Sequence, residues 1–290
     1  MRRRPGAPTL ALTLMIVGAA PLAAQQTYQF RYAPAAGATV RTLTQVQVAT
    51  ALTGFPAMPD GTVLEEETRF GAVQTVAGSG DRVFRVTLAL DSVWTRRRSS
   101  SGPWKSVVDS VYDREPVLLT VSPRLAASTT SGGGPAEAVL RVLYGLVAGP
   151  GFAFPEGPVA VGSSFATGAS IVTRVRVPPD AGVSVDQRAY GDLTLTLDSV
   201  QHNEGDEVAY LSFAGSFDPR AIEQQSESGS TQLTLAGSYA GRLVWSAAWN
   251  AIASVVARLH VEGTFRLQRP GGAVEAHAVW ETTLRHQLRP

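Results

Sequence analysis

The sequence predicts a mainly β, antiparallel protein with one buried helix near residues 135–148. Three observations carry that reading. Apolar and polar residues alternate over long runs, the mark of strands with one face on a core and one in water. The C-terminal stretch reads as a single amphipathic hairpin. Only residues 135–148 carry apolar side chains at helical spacing.

The chain opens on Arg2, Arg3 and Arg4, followed by an apolar stretch from Leu10 to Ala20 and a small-residue end, Leu22-Ala23-Ala24. That order is the signature of a cleavable secretory signal. The apolar stretch is shorter than the ~20 residues that a membrane-spanning helix needs. Cleavage is expected after Ala24, releasing a chain that starts at Gln25 into the periplasm or the extracellular space.

Residues 29–50 read as opening strands, interrupted at 34–37. In residues 82–94, Phe84, Val86, Leu88 and Leu90 share a face, with Arg85, Thr87 and Asp91 opposite. Residues 192–200 repeat the design, setting Leu193, Leu195 and Leu197 against Asp192, Thr194, Thr196 and Asp198. A loop over 201–207 holds the turn-favouring His202, Asn203, Gly205 and Asp206. Residues 208–214 then return as the second strand of a hairpin. Leu88-Ala89-Leu90-Asp91-Ser92-Val93 matches Leu195-Thr196-Leu197-Asp198-Ser199-Val200. The match reads either as an internal duplication or as convergence of short strands.

In the helical segment Pro135 suits the first position, Glu137 the first turn, and Gly149-Pro150 the stop. Its apolar residues, Leu143 and Leu146 among them, run most of the way round, which predicts burial. The Ser/Gly-rich stretch 128–134 divides the chain. The expected units are an N-terminal β-half at 25–131, a linker and helix at 132–151, and a C-terminal β-half at 152–290. In the last of these, residues 231–248 and 252–257 are strands broken at Trp249-Asn250. Leu259, Val261, Phe265 and Leu267 then share a face, Pro270-Gly271 turn the chain, and Val274, Ala276, Ala278, Trp280 and Leu284 continue that face on the return. The two halves form either one curved sheet around the helix, resembling a half-barrel, or two packed sandwiches. The amphipathic strands and the lone apolar helix favour the curved sheet.

Composition narrows the function classes. The chain has no cysteine, so an exported form relies on a core rather than disulfides, and it cannot carry a lipoprotein's lipid. With Arg2, Arg3 and Arg4 set aside, the 25 basic residues no longer exceed the 24 acidic ones, which speaks against nucleic acid as a partner. No later stretch is long and apolar enough for a transmembrane helix. An outer-membrane barrel fits poorly, because aromatics at 8% are thin for two girdles.

Three constellations carry candidate chemistry. His260, Glu262, Glu275, His277 and Glu281 fall on one face of the C-terminal hairpin if Arg269 pairs with Gly272. They are candidate ligands for a divalent metal, although solvation of an amphipathic hairpin predicts the same polar set. Arg96, Arg97 and Arg98 stand between Trp94 and Trp104. They could grip phosphate, an anionic lipid or a single strand, or form a solvated loop tip. Gly132–Gly134 precede the helix but lack the Lys-Ser/Thr of a phosphate loop. There is no Gly-x-Ser-x-Gly elbow and no other catalytic motif, so the chain reads as a non-enzyme with no cofactor.

Residues 152–165, FAFPEGPVAVGSSF, suggest a rigid turn feeding a strand. This Pro-x-x-Pro-Val-x-Val-Gly-x-x-aromatic element resembles one in a family of exported bacterial proteins of unknown function (DUF6263-like). The glycine-rich run 237–263 is similar to that family's closing strands. Phe165 stands where the family pattern has Trp. The resemblance implies an exported β-rich protein and supplies no activity or site.

The reading that follows is a non-catalytic binding protein for an apolar or amphipathic ligand, lipids among them. Its expected lining is Phe84, Leu88, Leu143, Leu146, Leu195 and Trp280. The alternative is an envelope structural or interaction module without a small ligand.

Overall fold

The computed structural model describes residues 26–55, 58–79, 83–100, 102–107, 116–131, 152–176, 184–203, 205–226, 229–269 and 272–289. The alternating runs form long strands. In chain order they are β1 (Thr27–Tyr28), β2 (Thr39–Thr53), β3 (Thr62–Ser79), β4 (Phe84–Ser99), β5 (Lys105–Val107), β6 (Val117–Val121), β7 (Ala127–Ser131), β8 (Val159–Ala160), β9 (Ser164–Arg176), β10 (Ser184–Asn203), β11 (Asp206–Ser226), β12 (Gly229–Ser246), β13 (Ala251–Arg269) and β14 (Gly272–Arg289). No helix occurs among the described residues. The buried helix expected at 135–148, with Leu143 and Leu146, lies outside them, so the structure gives that element no support.

Twelve strands make one antiparallel sheet in the order β7-β6-β4-β3-β2-β14-β13-β12-β11-β10-β9, with β5 alongside β4. The sheet is open, with β7 and β9 at its two ends. β2 pairs with β14 from Arg41↔Arg289 to Thr53↔His277, which joins the strands of the two expected halves edge to edge. One continuous sheet is therefore present, rather than two sandwiches. β1 and β8 form a separate two-stranded ribbon.

Strand parity sets the two faces. Leu52 on β2, Val86 and Leu88 on β4, Leu211 on β11, Leu243 on β12, Val261 on β13 and Ala278 on β14 are all buried and mark the inner face. The C-terminal hairpin has the register the sequence predicts, with Arg269 opposite Gly272 and Val261 opposite Trp280. The hairpin at 201–207 is tighter than the loop expected there. Pairing runs on through His202↔Glu207 to Asn203↔Asp206, because the polar residues alternate well enough to stay in the ladder. The two Leu-Asp-Ser copies also share a structural feature. The register shifts between Leu197 and Ser199 on β10, leaving Asp198 out of the ladder. On β4 Leu90 and Ser92 have partners and Asp91 has none. Each aspartate thus sits at a β-bulge, a device that bends a strand and increases its twist.

Two extended segments cover part of the inner face. Tyr28, Phe30 and Tyr32 are buried while Gln29 and Arg31 are exposed, so strand periodicity runs on past the end of β1. Phe30 stacks on Phe154 at 4.3 Å, and Phe154 meets Trp245 of β12 edge-on at 5.3 Å. Tyr32 meets Phe84 at 5.1 Å. The Val-x-Val-Gly step behaves as a turn into a strand. Gly162 adopts φ +83°, a left-handed conformation that a side chain would strain, and β9 starts two residues later.

Glycines and aromatics interlock across the strands. A Cβ on Gly263 would lie 2.7 Å from the Trp280 ring, one on Gly241 2.6 Å from Phe213, one on Gly237 2.5 Å from Phe217, and one on Gly215 2.5 Å from Tyr239. Each ring occupies the space that a neighbouring strand leaves by having no side chain, a pattern that pins register. Gly263→Ala must therefore displace Trp280. Its expected cost is about 1–3 kcal/mol, whereas Gly157→Ala, which meets nothing within 4 Å, should stay within about 0.5 kcal/mol. Denaturant midpoints of the two variants check this.

Candidate functional site

The arginine run is not a loop tip, and its outward members Arg96 and Arg98 are not a free cationic grip. Glu65, Glu66 and Glu67 of β3 stand opposite Arg98, Arg97 and Arg96 of β4. The sequence carries two complementary triplets, and antiparallel pairing sets each charge against its opposite. Parity splits them between the faces. Glu65, Glu67, Arg96 and Arg98 point outward with Trp94, while Glu66 and Arg97 share the parity of Phe70 and point inward.

On the outer face Glu67 is 1% exposed. Its Oε2 accepts from Arg96 Nε at 2.8 Å, and its Oε1 accepts from Arg69 Nε and Gln45 Nε2, both at 2.8 Å. Burial pushes this carboxyl upward, and the Arg96 and Arg69 hydrogen bonds outweigh it, holding the group below the ordinary carboxylate range. The Arg98 hydrogen bond lowers Glu65 in the same direction. The Arg96 guanidinium lies 5.2 Å from the Trp94 ring centre and 4.4 Å from that of Trp104, and Arg98 lies 4.7 Å from Trp104. Planar cations stacked on indoles in this way, with their charge met by carboxylates, form a structural clamp on the β4–β5 turn. Glu67→Gln leaves Arg96 and Arg69 without their anion. It should cost roughly 2 kcal/mol, read as a lowered denaturant midpoint.

The hairpin polar set does share one face, but it does not converge. His260 Nδ1 lies 2.5 Å from Glu281 Oε1, and its Nε2 lies 3.0 Å from Glu262 Oε1. Those two hydrogen bonds raise the imidazole pKa above its usual 6.5. With both ring nitrogens engaged by carboxylates, the ring presents no free nitrogen to a metal. His277 is opposite Thr264, with Nε2 3.3 Å from Glu275 Oε1. The four residue steps from His260 to Thr264 span roughly 13 Å. Among the described residues no group of three or more His, Asp or Glu side chains could hold a metal ion.

His286 differs from both. Its parity is inward, and Nδ1 lies 2.8 Å from Oγ1 of the buried Thr44. Burial pushes its pKa down to about 4. In the folded protein it stays neutral between pH 6.5 and about 4 while the unfolded chain takes up a proton. Stability is accordingly full above pH 6.5 and falls as pH drops through that window, by at most about 1.4 kcal/mol per unit. His260 has the opposite sign. Its contribution is full below pH 6.5 and lost as pH rises through the elevated value, and exposure makes it small. Histidine Cε1–H shifts followed by NMR against pH should separate the two titrations, and His286→Phe should flatten the acidic limb of the stability profile.

Of the lining residues expected from sequence, Phe84, Leu88, Leu195 and Trp280 all face inward and are buried in the core. They are spread over β4, β10 and β14. The inner-face residues left partly open include Phe165, Val200 and Ile252 near strand ends, and a contiguous group elsewhere. Val46, Val48, Leu64, Leu90 and Val93, on β2, β3 and β4, pack against the core but keep solvent contact. They run in register with inward polar groups. One row is Leu284, Val46, Thr68, Thr95 and Val107, and the next is Thr282, Val48, Glu66, Arg97 and Lys105. The available signal was negative. Over residues 42–50 and 64–68 polar residues occupy both parities, so the clean alternation of β13 and β14 is missing.

No family model matches the chain, and no curated protein matches it. Among solved structures it is similar to a chain of lipovitellin, from a structure concerned with lipid–protein interactions. The identity is 12% and the TM-score 0.49, and the match covers 88% of this chain and 25% of that one. The protein thus spans about a quarter of that neighbour's length. No helix among the described residues is long and apolar enough to cross a membrane.

Proposed function

We propose that the protein is a non-catalytic binder of an apolar or amphipathic ligand, exported by the leader at residues 1–24. The kinship with DUF6263-like exported proteins is part of the same reading and rests on residues 152–165 and 237–263. One observation carries the binding proposal. Along the middle of β10 to β13 the inner face is closed, with Leu195, Leu197, Leu211, Leu243 and Val261 at or below 1% exposure. Over β2, β3 and β4 the same face presents partly open apolar side chains at Val46, Val48, Leu64 and Val93. Water on that strip is displaced at a gain of ~25 cal/mol for each Å² of apolar surface covered, and an apolar ligand supplies the cover.

Native mass spectrometry of the protein, purified without detergent, tests the reading. The expected spectrum shows an adduct of lipid-like mass that denaturation releases. Val46→Gln/Val48→Gln should deplete it, with circular dichroism establishing that the sheet is intact, because both side chains keep part of their surface open. A clean apo mass that takes up no added amphiphile would overturn the proposal in favour of an envelope interaction module.

A further inference from the structure

Most of the charge on this protein is outward. Glu66 and Arg97 depart from that. Their cross-strand pair, with Arg97 Nε 2.5 Å from Glu66 Oε2, stands on the inner face beside Val48 and Leu64. The two side chains remain 39% and 35% exposed, so the pair is neither sealed in the core nor fully solvated. Lys105, the single lysine of the sequence, is directly opposite Arg97 on β5 and has the same parity. No described carboxylate forms an ion pair with it. The row therefore holds two cations and one carboxylate at the rim of an apolar strip. Thr68 and Thr95, whose hydroxyls lie 3.1 Å apart, stand in the adjacent row.

We infer that this row is the head-group subsite of the ligand strip, and that the ligand is an anionic amphiphile whose carboxylate or phosphate head meets Arg97 and Lys105. The inference rests on the proposed function and names the ligand class for that strip. A tail laid along Val46, Val48 and Leu64 covers the open apolar surface. The head then ends at the net positive charge left after Glu66 is counted. Arg97 offers Nη donors beyond the Nε that Glu66 already engages, and a guanidinium can present paired donors to a second oxyanion. Lys105 adds a flexible point charge from the neighbouring strand. A neutral amphiphile leaves that charge unmatched, and a cationic one is repelled by it.

The test uses the purified protein, stripped of lipid on an apolar resin. Displacement of a neutral polarity-sensitive dye is measured at low ionic strength with dodecanoate, dodecyl phosphate and dodecanol. The anions are expected to bind about tenfold or more tighter than the alcohol, a margin that salt erodes. Arg97→Gln/Lys105→Gln should bring the anions down to the alcohol's affinity and leave the alcohol unchanged. Glu66→Gln should tighten the anions by freeing Arg97. A preference for dodecanoate assigns a fatty-acid head, and a preference for dodecyl phosphate a phosphomonoester head. Equal binding of all three by the wild-type protein, or anion binding that survives the double substitution, would overturn the head-group inference while the apolar reading stands. Failure of all three to displace the dye would overturn that reading itself. Circular dichroism of each variant establishes that the sheet is intact.

Discussion

The pairing of β2 with β14 is the contact on which the rest of the molecule depends. It joins the first long strand to the last, so its closure spans nearly the whole chain and forms against a large loop entropy. It is also what turns two sets of locally connected hairpins into one sheet. The inner side chains of the seam, Leu52 beside Ala278 and Val46 beside Leu284, lie between a closed C-terminal region and a looser N-terminal one. A slip of one residue here would turn every inner side chain of β2 outward. The glycine–aromatic pairs fix the register on the C-terminal side, with Trp280 of β14 set against Gly263 of β13. On the other side the Glu65–Glu67 and Arg96–Arg98 ladder fixes β3 against β4 by charge.

Where one face is wholly apolar, the sequence was easy to read. The Leu193-Leu195-Leu197 run came out as one buried face and the hairpin of β13 and β14 in the expected register, because period-2 alternation is the direct signature of a half-buried strand. Arg96, Arg97 and Arg98 were harder. Taken as a local run they look like an exposed cationic tip, and only the acidic run at 65–67, some thirty residues earlier, makes them a strand. The glycine–aromatic pairs are non-local in the same way. Each glycine gains its meaning from a ring on another strand, and no spacing within one strand reveals it. The candidate strip was missed for a third reason. Searching for the most apolar residues finds the core, while a site that receives a ligand is marked by apolar residues that the protein does not itself finish covering.

The two tryptophan-flanked arginines show how little charge density says without partners. Arg96 and Arg98 are stacked, hydrogen-bonded and neutralised, so their charge is spent within the molecule. Arg97, between them in sequence, has the opposite parity and a single partner in a half-open setting. Three consecutive arginines thus split into two roles through strand geometry alone. The same parity rule separates the histidines. His260 faces water and carboxylates that raise its pKa, whereas His286 faces the core, which lowers it to about 4.

The inner face of β2, β3 and β4 is costly for a protein that binds nothing. Thr42 and Thr44 are buried there, Glu66 and Arg97 are half-desolvated, and the valines between them are incompletely covered. Replacing Glu66 and Arg97 by well-packed apolar residues would be neutral or stabilising in a face with only a structural task. Retaining a charged pair beside open apolar surface makes sense where stability is exchanged for recognition. In the proposed binding mode the apolar strip supplies affinity without direction, and the cationic row supplies the direction.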